Sequence, residues 1–174
     1  MFAVAADLLT LSRLIAAGIL VWLGFQGADT LSTAIVVGVV AWMTDQLDGW
    51  AARRAKSPTR MAPFDFLIDS ILYAGTLAYL TLAGFLPAVP VLVFSLIAVV
   101  AALVFRHKAV DLLSVRLIDL ASVVVISGRR PPAALFLIIW LLVSAFVYRR
   151  RLAERVPRWF SDLARCAGFR GSAR

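Results

Sequence analysis

The stretch LSTAIVVGVVAWMTDQLDGWAARR, Leu31 to Arg54, decides how this chain is read. It begins as an apolar run of membrane-spanning character and ends on Asp45, Asp48, Gly49, Ala52 and Arg53. A helix over 31–48, running on toward Arg54, carries both carboxylates at one end of an apolar rod. Three residues apart, Asp45 and Asp48 share a face of that helix.

Working outward, the rest of the chain is just as apolar. It is 62% hydrophobic, with a mean hydropathy of +0.91. A soluble domain cannot hide that much apolar surface, because its own exterior must face water. A spanning helix needs roughly 20 mostly apolar residues, and six segments qualify, at about 8–25, 31–48, 64–85, 89–105, 110–126 and 133–147. The breaks between them hold Gly27 to Thr30, Ser57-Pro58-Thr59, Pro87 and Pro90, and Ser127-Gly128 with Pro131-Pro132. Asp111, Arg116 and Asp119 interrupt the fifth segment. The first has no basic region before it and five apolar segments after it, so it reads as retained rather than as a signal peptide. The expected fold is an all-α membrane bundle of six transmembrane helices over residues 1–150, followed by a basic cytoplasmic tail, 151–174. Within that tail, 156–166 sets Trp159, Phe160 and Leu163 among arginines, the pattern of an amphipathic helix lying on the membrane.

The net charge of +8 does not point to nucleic acid, because of where the charges lie. Eight of the 18 basic residues fall from Arg149 onward, beside an apolar segment, where they hold anionic headgroups or fix topology. With the N-terminus inside, the inner set holds Arg13, Arg53, Arg54, Lys56, Arg60, Arg106, Lys108 and the tail. The outer connections keep only Arg129 and Arg130. Both termini are therefore expected in the cytoplasm, with the aspartates near that face. Five tryptophans fall mostly near segment ends, as interfacial anchors do. Cys166 and His107 are each single, which excludes an internal disulfide and any cysteine- or histidine-based zinc site.

Beyond the second segment and a short basic loop stand Asp65 and Asp69, four apart and again on one face. Antiparallel neighbours joined by that loop would bring the two pairs together. Four poorly solvated carboxylates repel one another, and divalent cations are the usual remedy. Only hard oxygen donors are offered, so Mg2+ or Mn2+ is expected, with two ions able to clamp a phosphoryl group. Gly49 and Ala52 extend the face of Asp45, and Arg53 is one step on, within reach of a phosphate. They read as the floor of a nucleotide-diphosphate site, or alternatively as a close helix-packing face. A membrane cation transporter could also own such acids. Acids of that kind should line a path through the bilayer, however, whereas these gather near one end.

These residues resemble the signature of the CDP-alcohol phosphatidyltransferase family: D-x-x-D-G-x-x-A-R, about eight residues, then G-x-x-x-D-x-x-x-D. Asp45, Asp48, Gly49, Ala52 and Arg53 match the first half in full, and Asp65 and Asp69 close the second. Met61 stands at the second glycine position, and the interval after Arg53 is seven residues. The resemblance implies a metal-dependent enzyme in which a hydroxyl attacks the β-phosphorus of CDP-diacylglycerol and CMP leaves. It implies Asp45, Asp48, Asp65 and Asp69 as metal ligands, with Asp69 also the general base. It places Asp48, Gly49, Ala52, Arg53 and Met61 at the nucleotide, where Met61 would narrow the space. It further suggests a homodimer in a membrane of the bacterial cytoplasmic type.

The run Leu8-Leu9-Thr10-Leu11-Ser12-Arg13-Leu14 looks like the opening of phosphatidylglycerophosphate synthases and related cardiolipin synthases. Serine-using relatives tend to carry Asn at the position of Arg13. Glycerol 3-phosphate is therefore the first acceptor to expect, with phosphatidylglycerol and inositol phosphate as alternatives. An anionic acceptor calls for cations, and Arg106, Lys108 and Arg116 are the candidates. Arg116 alternatively pairs with Asp119 or Asp111 on its own helix, and Arg106 and Lys108 serve equally as positive-inside anchors.

Overall fold

The computed structural model describes residues 2–54, 61–105 and 108–147. They form six α-helices: α1 (Phe2–Gln26), α2 (Leu31–Arg54), α3 (Asp65–Leu82), α4 (Ala88–Phe105), α5 (Lys108–Arg129) and α6 (Pro131–Val147). Single 3-10 turns, Ala28–Thr30 and Ala62–Phe64, lead into α2 and α3. Among the described residues there is no strand. The proposed amphipathic tail helix, 156–166, lies outside them.

Four stretches are long and apolar enough to cross a membrane: Ala3–Gln26, Ala28–Gly49, Asp65–Leu82 and Ala88–Phe105. The other two helices expected to span are present as helices. However, α5 carries Asp111, Arg116 and Asp119, and α6 has 17 described residues. With four apolar spans of this kind, the chain is an integral membrane protein.

The chain falls into two compact units that divide between Val91 and Leu92. In the first, α1 packs against both α2 and α3. Apolar patterning cannot show which face of α1 turns inward, since the helix is hydrophobic all round. Its buried line is instead Ala6, Thr10, Arg13, Ala17, Leu20 and Gly24, at alternating steps of four and three. Val4, Leu8, Ile15, Ile19, Trp22 and Phe25 face outward. Lipid gives little hydrophobic reward for burying Leu over Ala, so small and polar residues share the packing face with Leu20 and Leu23. The same rule holds on α2, where Ala34, Ala41 and Asp48 are buried at heptad spacing.

The turns are chemically explained. Gly27 sits at φ +94, open to glycine and costly for others, and starts the 3-10 turn into α2. Thr30 Oγ1 donates within this corner, reaching the Gly27 carbonyl at 2.8 Å. At the end of α3, Gly84 adopts φ +77. The Phe85 N–H reaches the Leu80 carbonyl and the Gly84 N–H that of Thr81, a Schellman cap. Pro87 follows and prevents continuation.

Helix α4 has no buried residue and, Ser95 apart, is apolar along its length. In the second unit α5 packs on α6, with Ile118, Ile126 and Ala134 buried.

Candidate active site

Helices α1, α2 and α3 meet around one guanidinium. Arg13 is fully buried on the inner line of α1, thirteen residues into the chain. Its Nη1 donates to Asp45 Oδ1 at 2.9 Å and to Asp69 Oδ1. Its Nη2 donates to Asp48 Oδ2 at 2.5 Å and to Asp65 Oδ1. Each terminal nitrogen thus bridges one carboxylate of α2 and one of α3. A guanidinium has four terminal N–H bonds, and here each has a carboxylate. The Nε–H is buried with no hydrogen-bond partner.

The two pairs of aspartates meet as their spacing requires, Asp45 with Asp48 on α2 and Asp65 with Asp69 on α3. Thr10, one turn before Arg13, donates from Oγ1 to Asp48 Oδ2 at 3.1 Å. Asp48 is the most enclosed of the four, with its side chain 10% exposed. Asp45 and Asp65 are each 46% exposed and Asp69 35%, against 0% for Arg13. The cluster is closed on the side of α1 and open on the side of the carboxylates.

Charge decides what this arrangement can do. Four carboxylates against one guanidinium leave three negative charges uncompensated at the end of an apolar bundle. The donor set, four hard carboxylate oxygens reachable from outside, suits Mg2+ or Mn2+. As the side chains stand, no group of three acidic, histidine or cysteine residues among the described ones is set to hold a metal ion. The guanidinium occupies the space between the carboxylates.

The remaining expected residues fall as follows. Gly49 is half-buried on α2, beside Asp48. Ala52 and Arg53 continue the same helix, their side chains outside the described set. Met61 opens the turn into α3, and its backbone N–H donates to Asp7 Oδ1 at 3.0 Å, tying that loop to the start of α1. Arg106 lies outside the described residues, and Lys108 is the first residue of α5. Arg116 pairs with Asp119 at 2.8 Å on an exposed face of α5.

Thr10 and Arg13 entered the motif reading only through the opening run 8–14 and the choice of acceptor; their place at the four aspartates is a finding of the structure. The signal for Arg13 was its place within an apolar run, where an ionisable residue is functional by default.

A family model for the CDP-alcohol phosphatidyltransferase matches residues 3–163. The chain belongs to the CDP-alcohol phosphatidyltransferase family. No curated protein and no solved structure matches it. The chain is thus a transferase of phospholipid biosynthesis, of a family that moves a phosphatidyl group from a CDP-alcohol to an acceptor. That assignment sets aside the transporter reading of the acidic cluster.

Proposed function

We propose that this enzyme transfers the phosphatidyl group of CDP-diacylglycerol to glycerol 3-phosphate, releasing CMP, at the cytoplasmic face of a six-span membrane domain. The observation that carries this reading is the convergence of Asp45, Asp48, Asp65 and Asp69 from two helices on one point. Those four would hold one or two Mg2+ or Mn2+ ions. Bound there, the metal would supply positive charge against the phosphate oxygens as negative charge shifts toward the leaving group.

The chain's own residues do the rest. Asp69 takes the proton of the acceptor hydroxyl as its oxygen bonds to the β-phosphorus; the bond from that phosphorus to the CMP oxygen breaks. Asp69 is given the role by the family pattern that it closes, and a third of its side chain is open to a water-soluble alcohol. Asp48, Gly49, Ala52, Arg53 and Met61 hold the CMP portion. The small residues admit the nucleotide close to the backbone, and Arg53 pairs with a phosphate. Arg106, Lys108 and Arg116 are the candidate cations for the acceptor's phosphate. The placement of basic residues supports a cytoplasmic site with both termini on that side.

An acceptor panel tests the reading. Purified protein with CDP-diacylglycerol and Mn2+ should release CMP with glycerol 3-phosphate, and not with serine. Preference for phosphatidylglycerol or inositol phosphate would move the acceptor and leave the chemistry in place.

A further inference from the structure

We infer that Arg13 is the resident counter-ion of the aspartate cluster: it holds the four carboxylates together in the absence of metal and is displaced when a divalent cation enters. The inference rests on the metal-dependent reading above.

Three observations carry it. First, the guanidinium and a metal ion would claim the same oxygens, since Oδ1 of Asp45, Asp65 and Asp69 and Oδ2 of Asp48 all accept from Arg13. Both cannot be satisfied by them at once. Second, access is one-sided. Arg13 is fully buried beneath the cluster, whereas Asp45, Asp65 and Asp69 keep a third to a half of their side-chain surface open. An ion arriving from the open side takes these oxygens and releases the guanidinium from the four-way fork that shields it. Third, the Nε–H of Arg13 has no partner. Beyond the four carboxylates the guanidinium keeps only a long contact from Nη2 to Thr10 Oγ1, 3.4 Å, so releasing it breaks little that the metal does not replace.

The electrostatics favour the exchange. A single positive charge leaves the cluster at net −3, and one divalent ion in that place leaves it at −2 before the second ion is counted. Arg13 still has a use before the exchange. Without it, four carboxylates at an apolar helix end would face one another with no counter-charge, a cost to the metal-free protein that metal binding then relieves. Arg13 is therefore the counter-charge of the metal-free cluster, and by competing for the same oxygens it lowers the affinity of the ion it yields to.

Mn2+ binding to the purified full-length protein, without substrate, tests this. Free Mn2+ is read by its electron paramagnetic resonance signal for wild type and Arg13→Gln. The variant should bind Mn2+ roughly tenfold or more tighter, within the usual range of coupling between competing ligands. Equal or weaker binding by the variant overturns the displacement while leaving the metal site standing; no binding by either protein overturns both. A second readout uses the wild type alone and is independent of how the variant folds. Modification of Arg13 by phenylglyoxal, followed by peptide mass spectrometry, should speed up when Mn2+ is added. An unchanged or slower rate means that Arg13 does not leave the carboxylates.

Discussion

Gly75 on α3 stands so close to Ala17 on α1 that a Cβ there would lie 3.0 Å from the Ala17 carbonyl oxygen and 3.1 Å from its Cα. Ala17 is one turn beyond Arg13, and Gly75 is six residues beyond Asp69. The approach of these two backbones therefore helps to set how far the α3 carboxylates stand from the α1 guanidinium. Gly75→Ala should cost about 1–3 kcal/mol, the usual penalty for overfilling a packed contact. Gly18→Ala, on α1, is the control, because its Cβ would meet nothing within 4 Å. It should be neutral or stabilise by up to ~1 kcal/mol, since alanine is the better helix former. Thermal midpoints in one detergent compare the two, and equal shifts would mean that the helices are not tightly apposed at Gly75.

Thr10 gives a second test of how α1 supports the site. Its hydroxyl proton is shared between Asp48 Oδ2 and the Ala6 carbonyl, each at 3.1 Å in a buried setting. Thr10→Val keeps the shape and removes the donor, and should lower stability by about 1.5–3 kcal/mol, the range for bonds to charged groups. Thr10→Ser should recover most of the loss. A valine variant as stable as wild type would show that Asp48 does not depend on this bond.

Much of this architecture was readable in the sequence, and the reasons are specific. The extent of α2, 31–54, follows from its apolar run and the absence of proline until Pro58. The helix α1 starts earlier than the apolar segment, at Phe2, because helix formation needs no lipid-grade hydrophobicity at a membrane surface. For the same reason α5 covers Lys108–Arg129 despite Asp111, Arg116 and Asp119. The aspartates were legible because their spacings of three and four are local. Arg13 was not, since its partners lie 32 to 56 residues away. Its charge, moreover, already had a sufficient account as a marker of the cytoplasmic side. The face that α1 buries was likewise hidden, since in lipid Ala6, Thr10, Ala17 and Gly24 mark it as much as Leu20 and Leu23 do.

Met61 can be tested without disturbing its loop. Its contact with Asp7 runs through the backbone N–H and survives any side-chain change other than proline. Met61→Gly restores the glycine of the family pattern and should lower KM for CDP-diacylglycerol a few-fold by widening the space beside the nucleotide. An unchanged KM would show that the methionine side chain does not border it.

The four aspartates should separate by kinetics. Asp69→Asn should reduce kcat by about 10²–10⁴-fold at saturating Mn2+, the contribution typical of a general base. Asp45→Asn should chiefly raise the Mn2+ concentration needed for half-maximal rate. If Asp69→Asn turns over near the wild-type rate, the base lies elsewhere.

If the converging carboxylates form a metal-dependent transferase site, turnover must depend on both metal and acceptor. CMP release from CDP-diacylglycerol by the purified chain, with glycerol 3-phosphate as acceptor, measures it most directly. In EDTA there should be no CMP; Mg2+ or Mn2+ should restore release, and only while acceptor is present. Release that continues in EDTA, or none with any acceptor once metal is supplied, would show that the carboxylates are not a metal-dependent transferase site.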